Sequence, residues 1–339
     1  MRKINTLEDE ELGVLIDKTE ALALRSKRTE RSRKKQGAKA KKIKDSQLLN
    51  LPYELIMRIL SLLRPSDVFN LQRTSKPFSI FIDQEATRIA RSISSWRYPS
   101  MEKSFRLPVL VADIDPAIHP LLLALKRQEL LAIHKRPYQH IKPPEQSQVC
   151  TCLTCILRWS ALCLIVDFAH WQDHLDNGEP IPMVPRGQLV EWNQTLIAVH
   201  AQLVCKALDN PLWHARLLEV HLKSTIRSIR RHAANKGNRR DRFLLTRDDA
   251  DSGVDAFLDR CGPPTLDLPF HRDNYYLLET FMPNRCWSQE QSAWLYLPAQ
   301  QHDRDVELVV RWAERGKKAT LEQKRLEATA AEAISSPQT

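Results

Sequence analysis

Three cysteines, Cys150, Cys152 and Cys155, followed by His170 and His174, are the residues whose types and spacing come nearest to chemistry in this chain. Taken as Cys152, Cys155, His170 and His174 they read C-x2-C-x14-H-x3-H, within the loose range of a tetrahedral zinc site. The intervening stretch from Trp159 to Ala169 is too apolar to lie in a nucleic-acid groove and carries no basic residue. The direct reading is therefore cysteines at the start of a buried helix, packing as small apolar side chains. No metal is assigned and no cofactor is expected.

Other arrangements carry less. His271-Arg272-Asp273 has the letters of a kinase catalytic loop, but Leu278 stands where an asparagine would hold a metal ion, and Asp-Phe-Gly is nowhere in the chain. Asp113 and Asp115 lack a neighbouring base, and a solvated turn before Pro116 accounts for them. Eight glycines are scattered, with the closest pairs, Gly178 with Gly187 and Gly253 with Gly262, too far apart to cradle a phosphate. No nucleophilic arrangement stands out, so the chain is not expected to be an enzyme.

The elements that position these residues read as helices. Asn210 before Pro211 is a cap with proline in the first turn, and Leu212, Leu217, Leu218, Leu222, Ile226 and Ile229 continue the pattern to a stop at Gly237. Thr246 with Asp249 opens another helix, ending near Gly262. Ser288 with Gln291 has capping-box spacing ahead of Trp294 and Leu295. Val306 to Arg315 forms one more, which the Ala/Glu/Lys/Arg-rich segment from Gly316 extends until it frays at Ser335. Seven of the eight tryptophans, from Trp159 to Trp312, fall on helical segments, and most read as core packing. Sustained period-two alternation is missing, and the class is mainly α.

The net charge of +10 is concentrated. Residues 25–44 hold eleven basic residues against Glu30 alone, which equals the whole excess, and such a run cannot bury enough apolar surface to order itself. It reads as a disordered arm serving nuclear localisation, polyanion attachment or solubility. A second basic group, Arg216 to Arg247, precedes Asp248, Asp249, Asp251, Asp255 and Asp259, which have the sign to offset it within the fold. No run approaches the roughly 20 apolar residues of a membrane span, so no membrane partner is expected. Seven cysteines without a secretory leader suit a reducing compartment, and the expected location is intracellular, in nucleus, cytoplasm or both.

One segment is distinctive. From Leu48 the chain reads L-L-N-L-P-Y-E-L-I-M-R-I-L-S-L-L-R-P-S-D-V-F-N-L-Q-R-T-S-K-P-F. Pro52 starts a helix on which Leu55, Ile59 and Leu62 form one stripe, with Ile56, Leu60 and Leu63 forming another about 100° round. Ser66 is expected to cap a second short helix carrying Val68, Phe69 and Leu71, and a third begins near Phe78. So few residues cannot hide that apolar arc themselves, so an exposed patch and a partner are expected.

This segment resembles the F-box, through Leu51, Pro52, Glu54, Leu55, Ile59, Leu60, Leu63, Asp67, Leu71, Thr74, Ser75, Lys76 and Phe78. Val68 replaces a commoner leucine, and Pro77 suggests a later start to the third helix. The resemblance implies docking on the Skp-type adaptor of SCF (Skp, cullin, F-box) ubiquitin ligases, with Leu51, Pro52, Glu54, Leu55, Ile59, Leu60, Leu63, Asp67 and Leu71 as the adaptor-binding residues. The rest of the chain resembles the region after the F-box in a group of uncharacterised filamentous-fungal proteins, which brings no known activity.

The expected organisation is a basic arm over 1–45, an F-box over 46–92, a linker with helices and a proline-rich end over 93–150, a helical substrate-recognition domain over 151–318 and a tail over 319–339. The expected function is that of a substrate receptor. The F-box docks on the adaptor and, through it, on cullin, while the helical region holds an unknown protein target. Arg227, Arg230, Arg231, Arg239 and Arg240 form a candidate acceptor for a phosphorylated degron, because guanidinium forks suit phosphate. The alternative is a nuclear nucleic-acid-associated protein, or a scaffold outside SCF complexes, using the arm and the 216–247 basic helix.

Overall fold

The computed structural model describes residues 31, 47–135, 141–182, 184, 188–234, 245–260 and 282–335. The readings made for the basic arm, for Arg239 and Arg240, for the stop at Gly237 and for His271 to Asp273 lie outside them. The chain divides into two units, Met1–Pro52 and Tyr53–Thr339. In the first, a 3-10 turn spans Gln47–Asn50, and the N–H of Leu51 bonds back to the carbonyl of Leu48.

The second unit is mainly helical, as the periodicity predicts. It opens with α1 (Tyr53–Leu62), α2 (Pro65–Gln72), α3 (Lys76–Arg97) and α4 (Pro99–Ser104). The short α5 (His119–Leu122) and α6 (Leu125–Lys135) follow. Next come α7 (Leu153–His170), α8 (Gln172–Asn177), α9 (Glu191–Asp209), α10 (Pro211–Ala234) and α11 (Arg247–Ser252). A hairpin of β1 (Arg285–Ser288) and β2 (Ala293–Tyr296) leads to α12 (Gln301–Ser335).

Local signals explain most of the boundaries. Asn210 Oδ1 accepts from the Leu212 N–H at 2.9 Å, so the expected cap opens α10. Thr246 and Asp249 form a reciprocal capping box on α11, which ends early because Gly253 takes a left-handed conformation (φ 64°). Phe257 and Leu258 then sit buried on a separate 3-10 turn, Ala256–Asp259. Three readings change. Ser66 does not cap α2; Pro65 occupies the first turn after Arg64, and Ser66 is drawn to a distant partner. Pro77 does not delay α3, because Ser75 accepts from the Phe78 N–H and the proline falls where no intrahelical N–H is needed. Ser288 and Gln291 do bond, Gln291 N–H to Ser288 Oγ at 3.3 Å, but they close the turn of a hairpin. Trp287 and Trp294 therefore lie opposite each other on strands, with ring centroids 5.4 Å apart.

The core is organised round α7, where fourteen of eighteen residues are buried. Its mean hydropathy of 1.5 over 18 residues would suit a membrane span, which the sequence reading did not expect of any segment, yet 78% of it is buried within the fold. Helices α9, α10, α8 and α12 pack against it, and α10 also packs on α2 and α3. Helix α3 runs on through Arg97, past residue 92, and α1, α2 and α3 lie in the same unit as the body that follows.

Candidate functional site

The two apolar stripes of α1 part company in the fold. Ile56 and Leu60 turn inward, Leu60 being fully buried, whereas Leu55 and Leu62 are each about half exposed (51% and 50%) with Ile59 half-buried between them. The inward stripe meets α3, where Phe78, Ile82, Ala86 and Ile89 repeat at helical spacing. Polar contacts fix α1 at both ends. The Tyr53 hydroxyl donates to Glu85 (2.7 Å) and accepts from Arg88 (2.7 Å), while Trp96 Nε1 donates to the Ser61 carbonyl (2.9 Å). Leu51 (37%), Pro52 and Glu54 are exposed, and Leu63, Asp67 and Leu71 are half-buried. Of the nine residues expected to face an adaptor, Leu60 is the exception. It is i+4 from Ile56 on the core side and supports the surface instead of forming it.

The opposite side of this helical group is fastened to α10. Glu219 is buried, and its carboxylate accepts from the Ser66 N–H (2.9 Å), the Ser66 hydroxyl (2.7 Å) and Lys223 (2.8 Å), and pairs with Arg216 (2.8 Å). Burial raises its pKa, but the hydrogen bonds from Lys223 and Ser66 and the Arg216 charge outweigh that and hold it below the usual carboxylate value. Phe69 stacks on Trp213 at 4.8 Å. Among the described residues, α10 packs on α2 and α3, and Leu55 and Leu62 stay about half exposed.

The basic residues of α10 find acidic partners. Arg227 and Arg231 both reach Asp176 (3.2 and 3.3 Å), and Arg230 stands 3.7 Å from Asp251. Intramolecular pairing was the expected alternative to phosphate binding, although Asp176 of α8 supplies two of the three contacts.

A second constellation differs from the one the spacing suggested. His170 lies at the far end of α7 from Cys152 and Cys155. Seventeen steps of continuous helix from Leu153 to His170, at 1.5 Å each, put about 26 Å between its ends, and a finger-type site needs a chain reversal there. His170 and His174 instead meet Trp171 edge to face, with ring centroids 4.6 and 5.0 Å away. The cysteines meet His302 in the first turn of α12: Cys150, Cys152, Cys155 and His302 are all buried, and their ligand atoms lie within 4.8 Å of one another. His302 Nδ1 is 3.4 Å from the Sγ of both Cys152 and Cys155.

Three elements bring them together. A single bridge between Leu110 and Val149 sets the backbone before Cys150, Cys152 caps α7 with its sulfur, and Cys155 lies in the next turn. Backbone N–H groups of Val109, Cys152 and Cys155 point at Cys155, Cys150 and Cys152 sulfurs respectively, at 3.3, 3.3 and 3.4 Å. Hydrogen bonds from Cys152 and Cys155 pull the Cys150 thiol down, and the same sharing, with burial, pushes the other two up. Ile114, Leu122 and Val306 close round the group. The buried start of the helix was legible; the fourth partner was not, because His302 lies 147 residues beyond Cys155.

Leu55 and Leu62 thus stay exposed on a short helix that α3 braces from behind. Residues 48–88 match the family model of the F-box domain, and the chain carries an F-box at that place. No curated protein and no solved structure matches the chain. An F-box points to a role as a ubiquitin-ligase adaptor that binds a Skp-type protein, and F-box proteins are typically non-catalytic subunits.

Proposed function

We propose that this protein is the substrate receptor of an SCF-type ubiquitin ligase. The Leu55, Ile59 and Leu62 stripe on α1, with Leu51 and Pro52, docks on the Skp-type adaptor and reaches cullin through it. The helical body presents a target protein and does no chemistry itself; holding the target raises the effective concentration of its lysines at the ubiquitin-loaded enzyme. The observation that supports this most is the stripe itself. Two leucines half exposed on a ten-residue helix, inside the segment that matches the F-box, are surface that a partner would bury. The basic arm over 25–44 carries the protein to the nucleus, and a chain without residues 1–44 is expected to keep adaptor binding and lose nuclear enrichment.

Titrating purified full-length protein with a Skp-type adaptor tests the reading. Wild type is expected to bind, and Leu51→Ala/Pro52→Ala is expected to bind at least about tenfold more weakly, as loss of central apolar contacts usually costs more than 1 kcal/mol each. Wild type that recovers neither adaptor nor cullin from cells would overturn it.

A further inference from the structure

We propose that Cys150, Cys152, Cys155 and His302 bind one zinc ion that staples the last helix, α12, to the N-terminus of α7. Four soft or borderline donors in one buried place are the ligand set of a closed structural site, with no open position for a substrate. The distances fit. With Zn–S of about 2.3 Å and Zn–N of about 2.0 Å, tetrahedral geometry puts sulfur and nitrogen about 3.5 Å apart and sulfurs about 3.8 Å apart. His302 Nδ1 stands 3.4 Å from two sulfurs, and the largest separation in the set is 4.8 Å. Four donors this close enclose one ion and leave no room for a cluster of iron and sulfide.

The backbone around the sulfurs suits ligands to an ion. Three backbone N–H groups aim at the three sulfurs at 3.3–3.4 Å, which stabilises negative sulfur and orients it. Three thiolates, one neutral imidazole and Zn²⁺ sum to a charge of −1. Arg127 is placed to offset it, donating to the carbonyl (2.6 Å) and hydroxyl (3.2 Å) of Thr151, between Cys150 and Cys152.

Neighbouring contacts hold the fourth ligand in register. Asp305, one turn after His302, accepts from the Thr154 N–H (2.8 Å) and hydroxyl (2.7 Å), so α12 is already seated on the first turn of α7. Val306 packs into the same cluster. The ion therefore joins segments 147 residues apart in sequence, where a cross-link constrains a long stretch of unfolded chain.

Elemental analysis of full-length protein purified under reducing conditions tests this, with cobalt replacement as a second reading. About one zinc per chain is expected, and cobalt should give the thiolate charge-transfer and tetrahedral d–d bands. His302→Ala should weaken metal retention against a chelator by at least about tenfold. His302→Cys, which supplies a sulfur in place of the imidazole as fourth ligand, should retain the ion and shift the cobalt spectrum toward an all-sulfur site, separating ligation from misfolding. The double variant His170→Ala/His174→Ala should keep full zinc. Wild type holding less than about 0.2 zinc per chain after zinc supply overturns the proposal, and so does full retention in His302→Ala or equal loss in the His170/His174 variant.

Discussion

Helices α1 and α7 are both rich in large apolar residues, and they use them differently. On α7 fourteen of the eighteen residues are buried, with Trp159, Leu162 and Phe168 among the most buried side chains. On α1 only Ile56, Leu60 and Ser61 are buried, and the other face of the helix meets solvent through Leu55 and Leu62. The difference is one of position. Among the described residues, four helices pack closely on α7, whereas α1 packs mainly on α3 and its opposite face is exposed. Composition thus does not separate a core helix from a docking helix; what is packed against the second face does.

The comparison breaks if removing bulk from α7 costs no more than removing it from the outer face of α1. Trp159→Ala is expected to lose about 4 kcal/mol of stability, because the indole is almost fully enclosed and its Nε1 donates to the Lys142 carbonyl. Chemical denaturation followed by circular dichroism measures it. A loss near zero would mean that α7 is not the centre of the fold.

Within α1 the same contrast can be drawn between residues five apart. Leu60→Ala should cost about 3 kcal/mol, being fully buried against α3. Leu55→Asp should change stability by less than about 0.5 kcal/mol yet weaken adaptor binding by roughly a hundredfold, since a carboxylate would be desolvated at the interface. Paired denaturation and adaptor titration read both numbers. If Leu55→Asp unfolds the protein and Leu60→Ala spares it, the assignment of faces is reversed.

The brace behind the F-box gives a smaller effect. Glu219→Ala removes two hydrogen bonds to Ser66 and the anchor of Arg216 and Lys223, and should cost about 2 kcal/mol. Much of the ion pairing lies at the surface, where solvent screens it, so the estimate rests on the Ser66 bonds. Faster hydrogen exchange in α2 than in α7 would identify the loss as a loosened F-box.

These cases show why part of the structure was legible from residues alone. A capping side chain acts within four residues, so Asn210 and the Thr246–Asp249 box could be read directly. The Leu55 and Leu60 stripes could also be read, but which of them faces out depends on α3, whose packing is not a local property. Ser288 and Gln291 were misread because the hydroxyl-to-N–H bond that starts a helix equally closes a two-strand turn. His302 was missed for a stronger reason: no spacing rule joins it to Cys155, and the only hint is that a histidine opens a helix whose Val306 and Val309 need an apolar neighbour. Ser66 likewise looked like a cap because its true partner, Glu219, lies 153 residues away.

The least of the expected effects concerns pH, and it sharpens the picture of how the F-box joins the body. Asp255 is buried and accepts from the N–H groups of Ser100 (3.0 Å) and Met101 (2.7 Å) at the start of α4, directly after the long F-box helix. Burial, with Asp259 nearby, pushes its pKa up to about 7 against the opposing pull of those N–H groups. A carboxyl raised in the folded state binds its proton more tightly there than in the unfolded chain. Its contribution to stability is therefore complete below the ordinary value of 3.8 and is lost as pH rises through about 7. Wild type should lose about 1 kcal/mol relative to Asp255→Asn between about pH 6 and about pH 7.5. The asparagine variant keeps a carbonyl oxygen for Ser100 and Met101 but carries no titratable proton. Thermal denaturation of both proteins across that range reads the difference directly, and parallel curves would show that the α3–α4 junction holds its carboxylate charged throughout.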